Sequence, residues 1–152
     1  METTKLFSRI YGLCAGYAGG DPEFIAVITD RVLRKILPDP SLETDYELLC
    51  HAARHLVSEL SKLPGAGESK SQNWYGSWPF RGHLLIALQA LNGLNKDQRL
   101  LILLRDQWGL SIDDLAKCWQ IPPQEMLERL KQTRQLWFFQ RDLVLARKRR
   151  VT

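Results

Sequence analysis

This sequence of 152 residues contains no run of 18 apolar residues, so it offers no segment able to cross a bilayer as a helix. Its first stretch, METTKLFSRIYGLCAGY, lacks a basic region followed by a long apolar one and does not read as a secretory signal. Cysteine is scarce: Cys14, Cys50 and Cys118 are odd in number, far apart and set in apolar patterns. A disulfide framework is therefore not expected, and a reducing cytoplasm is the expected compartment. Signatures of catalysis are missing as well. The stretch GAGESKS lacks the GK[ST] ending of a phosphate-binding loop, and neither G-x-S-x-G nor H-E-x-x-H occurs. No Cys–His pair has an orienting carboxylate in a recognisable context, and Asp113-Asp114 reads as helix capping rather than acid–base chemistry. The expectation is a protein without enzymatic activity, cofactor, small-molecule substrate or membrane association. Strand-like alternation and internal repeats do not stand out either.

What is present is a helical pattern in a composition that is 45% apolar and 25% charged, ordinary for a soluble domain. Leu6, Ile10, Leu13 and Tyr17 recur at three and four, predicting a first helix that stops near Gly19-Gly20. Asp21-Pro22 supplies a cap and a first-turn proline for a second helix carrying Phe24, Ile28, Leu33, Ile36 and Leu37, which Pro38 ends. Ser41 or Thr44 can cap a third, with Tyr46, Leu49, Ala53, Leu56 and Leu60 inward. Residues 64–82, PGAGESKSQNWYGSWPFRG, are rich in Gly, Ser and Pro and read as a linker. Four aromatics in it, Trp74, Tyr75, Trp78 and Phe80, either dock on a helical bundle or anchor a partner.

Helical spacing resumes with Leu84, Ile86, Leu88 and Leu91, breaks at Gly93, and restarts behind the potential cap Asn95. That helix is expected to reach Gly109. Ser111 caps the next one, and Pro122-Pro123 separates it from a last helix running from Gln124 towards Arg147. The expected fold is all-α, with two small helical bundles. Residues 1–63 form the first, 64–82 the linker, and 83–152 the second, which ends in a helix-turn-helix and a basic tail. Ala116 would sit where the two final helices cross, with Leu115, Ile121, Met126 and Leu130 inward. Gln120 takes the turn position where glycine is common, and Gln124, Glu125, Glu128, Arg129 and Gln132 would point outward.

The charge is uneven. Residues 1–63 hold 7 Lys/Arg against 9 Asp/Glu, whereas residues 83–152 hold 12 against 7. The basic half, ending in Arg147, Lys148, Arg149 and Arg150, suits either a polyanion or plain solvation. His51 and His55 stand at i and i+4 beside Cys50, a spacing that can hold a metal, but no third or fourth ligand is visible, so no metal site is expected. His51 is expected to face solvent.

LNGLNKDQRLLILLRDQWGLSIDDLAKCWQIPPQEMLERLKQTRQLW resembles region 4 of the extracytoplasmic-function group of bacterial sigma factors. Leu94, Arg99, Leu103, Gly109, Leu110, Ser111, Leu115, Ala116, Ile121, Met126, Arg129, Leu130 and Arg134 carry the match without a gap. GDPEFIAVITDRVLRKIL and ELLCHAARHLVSELSK are similar to the polymerase-docking and −10-reading helices of region 2 of that family. The resemblance covers nearly the whole chain and implies a bipartite, all-α protein of transcription initiation, with core RNA polymerase and promoter DNA as partners. It implies Gln124, Arg129, Lys131 and Arg134 at the −35 element, and His51, Arg54, His55 and Lys62 near the −10 strand.

The departures are specific. Ala26, Val27 and Asp30 stand where the family has acids and a glutamine, and Leu48 and His55 replace a tryptophan and an asparagine. Glu125, Leu127, Glu128 and Gln132 replace a threonine, a base, a serine and an arginine of the recognition helix. The chain also resembles the sigma-like domain of the alphaproteobacterial general-stress response regulator, which captures an anti-sigma factor, although the receiver domain of that family has no counterpart. This second resemblance implies a module that binds an anti-sigma factor, polymerase or another protein regulator through Val27, Asp30, Arg31, Leu48, Trp74 and Trp78 without reading DNA. A third reading is an unrelated DNA-binding protein sharing only the helix-turn-helix.

Overall fold

The computed structural model describes residues 2–18, 22–37, 44–62 and 83–151. Among them every regular element is helical: α1 (Thr3–Ala18), α2 (Pro22–Ile36), α3 (Asp45–Ser61), α4 (His83–Leu91), α5 (Lys96–Ile102), α6 (Ile112–Trp119) and α7 (Pro123–Val151). The predicted linker with Trp74, Tyr75, Trp78 and Phe80 lies outside the described residues, as do Gly19 to Asp21, Pro38 to Pro40 and the candidate cap Ser41. No helix among the described residues is long and apolar enough to cross a membrane.

Local chemistry explains where the helices start. Thr44 Oγ1 accepts from the Glu47 backbone N–H at 3.1 Å while the Glu47 carboxylate accepts from the Thr44 N–H at 3.2 Å. Asn95 and Gln98 form the same reciprocal box at 2.9 and 3.0 Å ahead of α5. Each box satisfies two amides that the helix itself leaves without a partner and contributes about 1 kcal/mol. Ser111 Oγ accepts from the Asp114 N–H at 3.1 Å to start α6.

The helix expected to run from Asn95 to Gly109 changes pitch before it ends. Leu103–Gln107 is a π-turn. The wider turn puts Leu103, Leu104 and Trp108 in the core together, which a regular 3.6-residue helix would not do for residues five apart. Gly109 then reverses the chain at φ +72°, a conformation that costs glycine nothing. Arg105 Nη1 closes the turn by donating to the Leu110 carbonyl at 2.6 Å.

Packing joins the two ends of the chain. α1, α2 and α3 stack on one another, while α4, α5 and α6 pack along α7. The apolar core is continuous from Leu6, Ile28 and Leu56 through Leu104 and Leu110 to Leu115 and Leu130. α1 lies against the π-turn, and a Cβ on Gly16 would come within 3.2 Å of the Leu103 side chain, so the small residue permits that approach. Arg99 of α5 is buried here. Its Nε donates to the Leu94 carbonyl at 3.0 Å and its Nη1 to the Tyr17 carbonyl at 3.1 Å, placing a cation at the negative end of α1.

Two residues expected inward lie elsewhere. Leu37 is half exposed just past the end of α2, where the core-facing stripe has run out. Tyr46 is 41% exposed because its ring lies at the rim, with the hydroxyl reaching another helix.

Candidate functional site

The expected recognition surface is built on α6, a short turn and α7. Ala116 is buried at the crossing, Leu115, Met126 and Leu130 are buried around it, and Ile121 fills the turn half-buried. Gln120 adopts φ +56°, the left-handed conformation that glycine takes most cheaply, and the Ile121 N–H returns to the Ala116 carbonyl at 3.0 Å. The first face of α7 is thereby set: Gln124, Glu125, Glu128, Arg129 and Gln132 all point to solvent.

On that face, the bases expected to meet phosphate are engaged by carboxylates. Arg129 Nη2 donates to Glu125 Oε1 at 3.0 Å one turn away, Lys131 Nζ stands 3.8 Å from Glu128 Oε1, and Arg134 Nη2 donates to Asp106 Oδ1 at 2.6 Å. Exposed pairs of this kind add only about 0.3–0.5 kcal/mol to stability. Their effect on a polyanion is larger. Glu125 and Glu128 stay on the surface whatever their partners do, and a carboxylate about 4 Å from a phosphate costs roughly 1 kcal/mol even in bulk water.

The residues expected at the −10 strand lie on α3, whose start is tied to the start of α6. The Tyr46 hydroxyl donates to Asp114 Oδ2 at 2.5 Å and accepts from the Ser111 N–H at 3.0 Å, while Ser111 Oγ donates to Asp114 Oδ2 at 2.8 Å. The Tyr46 hydrogen bond, outweighing desolvation, holds the Asp114 carboxyl below its ordinary range; burial and that same carboxylate push the Tyr46 phenol up. Downstream of this tie, Arg54 faces an open cleft of about 730 Å³ together with Asp113, Lys117, Gln120, Ile121 and Pro123. Arg54 thus shares a surface with α6 and the first residue of α7. Lys62 is exposed at the C-terminal end of α3.

His51 and His55 face each other, their Nε2 atoms 3.1 Å apart, and His51 is half-buried rather than turned fully to solvent. Burial, then the neighbouring His51 and Lys35, lowers the His55 pKa from its ordinary value. Among the described residues no three His, Cys, Asp or Glu side chains gather as a metal site. Burial pushes the Cys14 and Cys118 thiols up to about 12, so neither is a thiolate near neutral pH.

The residues expected to hold a protein partner fall into two groups. Val27 is 49% exposed on α2, and Leu48 is half-buried on α3. Asp30 accepts from Arg34 Nε at 2.8 Å, and Arg31 lies 3.9 Å from Glu59. Glu59 is buried and also bonded by Lys35, whose hydrogen bond is the main reason its carboxyl is lowered. Trp74 and Trp78 lie outside the described residues.

Sequence reading missed the Tyr46–Ser111–Asp114 tie, the Arg134–Asp106 pair and the Arg31–Lys35–Glu59 cluster. Only the capping role of Ser111 with Asp114 carried a local signal. Comparisons with protein-family models, curated proteins and solved structures find no match for this chain.

Proposed function

We propose that this chain is a bacterial transcription regulator with a sigma-like architecture, acting in the cytoplasm on RNA polymerase, in which protein contact has largely replaced sequence-specific reading of DNA. The observation that carries the proposal is the pairing of Arg129, Lys131 and Arg134 with Glu125, Glu128 and Asp106 on the face expected to meet the −35 element. A promoter reader gains most of its affinity from bases that displace counterions from phosphate. Here those bases have carboxylates beside them, and the surface suits a partner that presents charges of both signs. The exposed Val27 and half-buried Leu48 supply apolar anchor points of the kind that dominate protein interfaces. The partner is core polymerase, an anti-sigma factor or another protein regulator, and the role is non-catalytic.

A second reading has its own support. Residues 83–152 carry a net excess of bases, and Arg54 and Lys117 line one cleft beside α6. In that reading the chain is a working sigma factor that holds promoter DNA once polymerase is bound.

Titration of the purified protein against bacterial core RNA polymerase, followed by promoter-DNA retention with the mixture, separates the two. Binding to core with little DNA retained is the expected result. Retention that is lost in Arg129→Ala and Arg134→Ala would establish the second reading instead. Absence of any binding to core would remove polymerase as the direct partner and leave a protein regulator. DNA binding that is indifferent to polymerase would contradict the sigma-like architecture and leave an unrelated DNA-binding protein.

A further inference from the structure

The far end of α7 carries a surface that none of these roles uses. Trp137 turns inward, its Nε1 donating to the Ala87 carbonyl of α4 at 3.2 Å, and this fixes the rotation of the helix about its axis. Residues on the opposite side must therefore face out. They include Leu136, Phe139 and Leu143, exposed by 43%, 58% and 36%. Spacings of three and four put them in one stripe along a single helix face. Ala146 and Arg150 continue the same line. Leu136 also lines a groove of about 230 Å³ between α5 and α7, so the stripe runs into a recess able to take a large side chain.

Beyond the stripe the charge is one-sided. Residues 135–151 include Arg141, Arg147, Lys148, Arg149 and Arg150 against Asp142 alone. From Leu136 to Arg150 the surface is about 21 Å long at 1.5 Å per residue. We infer that this face of α7 is a docking site for an acidic amphipathic helix of another protein, whose apolar residues lie on Leu136, Phe139 and Leu143 and whose carboxylates meet the basic end.

The charge pattern selects that occupant. A second copy of the chain fits poorly: parallel pairing sets base against base, and antiparallel pairing about Phe139–Leu143 sets Arg147–Arg150 against Gln132, Thr133, Arg134 and Gln135. Neither arrangement meets an acid. Residues 63–82 of the same chain hold Glu68 against Lys70 and Arg81, so that segment lacks the required charge. A bilayer asks for a broad apolar face, whereas polar Gln132 heads this stripe, Gln135 and Asp142 run beside it, and the neighbouring exposed Phe138 has the Arg141 guanidinium over its ring at 4.9 Å.

The test uses the full chain and a fluorescent peptide of three heptads, with leucine at a and d and glutamate at e and g, read by anisotropy. Saturable binding that weakens as salt rises is expected. The pair Phe139→Ala with Leu143→Ala should weaken it at least about tenfold, the scale of losing a central apolar anchor. Arg147→Gln with Arg150→Gln should weaken it about threefold or more and flatten its salt dependence. Phe139→Gln alone serves if the double variant loses its helical circular dichroism. No saturable binding, equal binding of the lysine counterpart of the peptide, or variants that bind like wild type would overturn the proposal. So would co-sedimentation with phosphatidylglycerol vesicles in place of peptide binding, or a dimer in sedimentation equilibrium that Phe139→Gln dissolves.

Discussion

The two ends of α7 belong to one helix and meet solvent in different ways. In its first turns each base has an acid three or four residues away or on the π-turn ahead of α6, and the apolar residues Met126 and Leu130 are buried. In its last turns bases exceed acids, and Phe139 and Leu143 are exposed. The count of Lys and Arg along a helix is thus a poor guide to what it binds. A base with a neighbouring carboxylate contributes little field at a distance, whereas a run of bases beside exposed apolar side chains forms a surface with both attraction and area to offer.

The largest expected effect breaks this contrast at the level of stability. Leu130→Ala removes a side chain that is 3% exposed and should cost about 2–5 kcal/mol, whereas Leu143→Ala should stay within about 0.5 kcal/mol. Urea unfolding of both variants checks it, and similar midpoints would mean the far end is packed as tightly as the near one. Next in size is Glu125→Thr with Glu128→Ser, which should make the first end resemble the last in charge. Affinity for duplex DNA should rise about tenfold and its salt slope should steepen by up to about two phosphate contacts. If affinity stays the same after both acids are gone, neutralisation is not what weakens DNA reading.

Tyr46→Phe is expected to cost about 1 kcal/mol, the usual scale for one hydrogen bond, because it leaves Asp114 and the Ser111 amide to water. An unchanged thermal midpoint would show that the tie between α3 and α6 adds nothing to the support of α7. The smallest effect is with acid. His55, Glu59 and Asp114 all titrate below their ordinary values of 6.5, 4.5 and 3.8. The folded state then binds fewer protons than the unfolded one, so the stability these groups provide is full above those values and declines as pH falls through them. A thermal midpoint that begins to fall below 6.5, with that first stage absent in His55→Gln, is the expected record. A midpoint that rises on acidification would reverse the sign.

Much of this molecule was legible because its signals are local. The Thr44–Glu47 and Asn95–Gln98 boxes span three residues each, and the stripe from Leu6 to Tyr17 shows its period within one helix. The inward set at the α6–α7 crossing, Leu115, Ala116, Met126 and Leu130, follows from spacing in the same way. What stayed hidden depends on separation. Tyr46 meets Asp114 across 68 positions, and Arg134 meets Asp106 across 28. Tyr46 has the spacing of a core residue, and nothing near it in sequence marks the hydroxyl as the part that matters. The π-turn hides for a different reason. The unbroken apolar run from Leu100 to Leu104 reads the same for either pitch, and the wider turn shows only in the folded chain, where Leu103 packs against Gly16 of α1.

Arg99 has one further consequence. Its guanidinium holds the carbonyl of Tyr17 at the end of α1 and that of Leu94 ahead of its own helix, within a core shared by both halves of the chain. Pulling the halves apart would take the Tyr17 carbonyl from that buried cation and open the shared core around it, so the chain should open as one cooperative unit. In hydrogen exchange, the central amides of α1 and α5 should therefore open together and with a common free energy, although about ninety residues separate them along the chain.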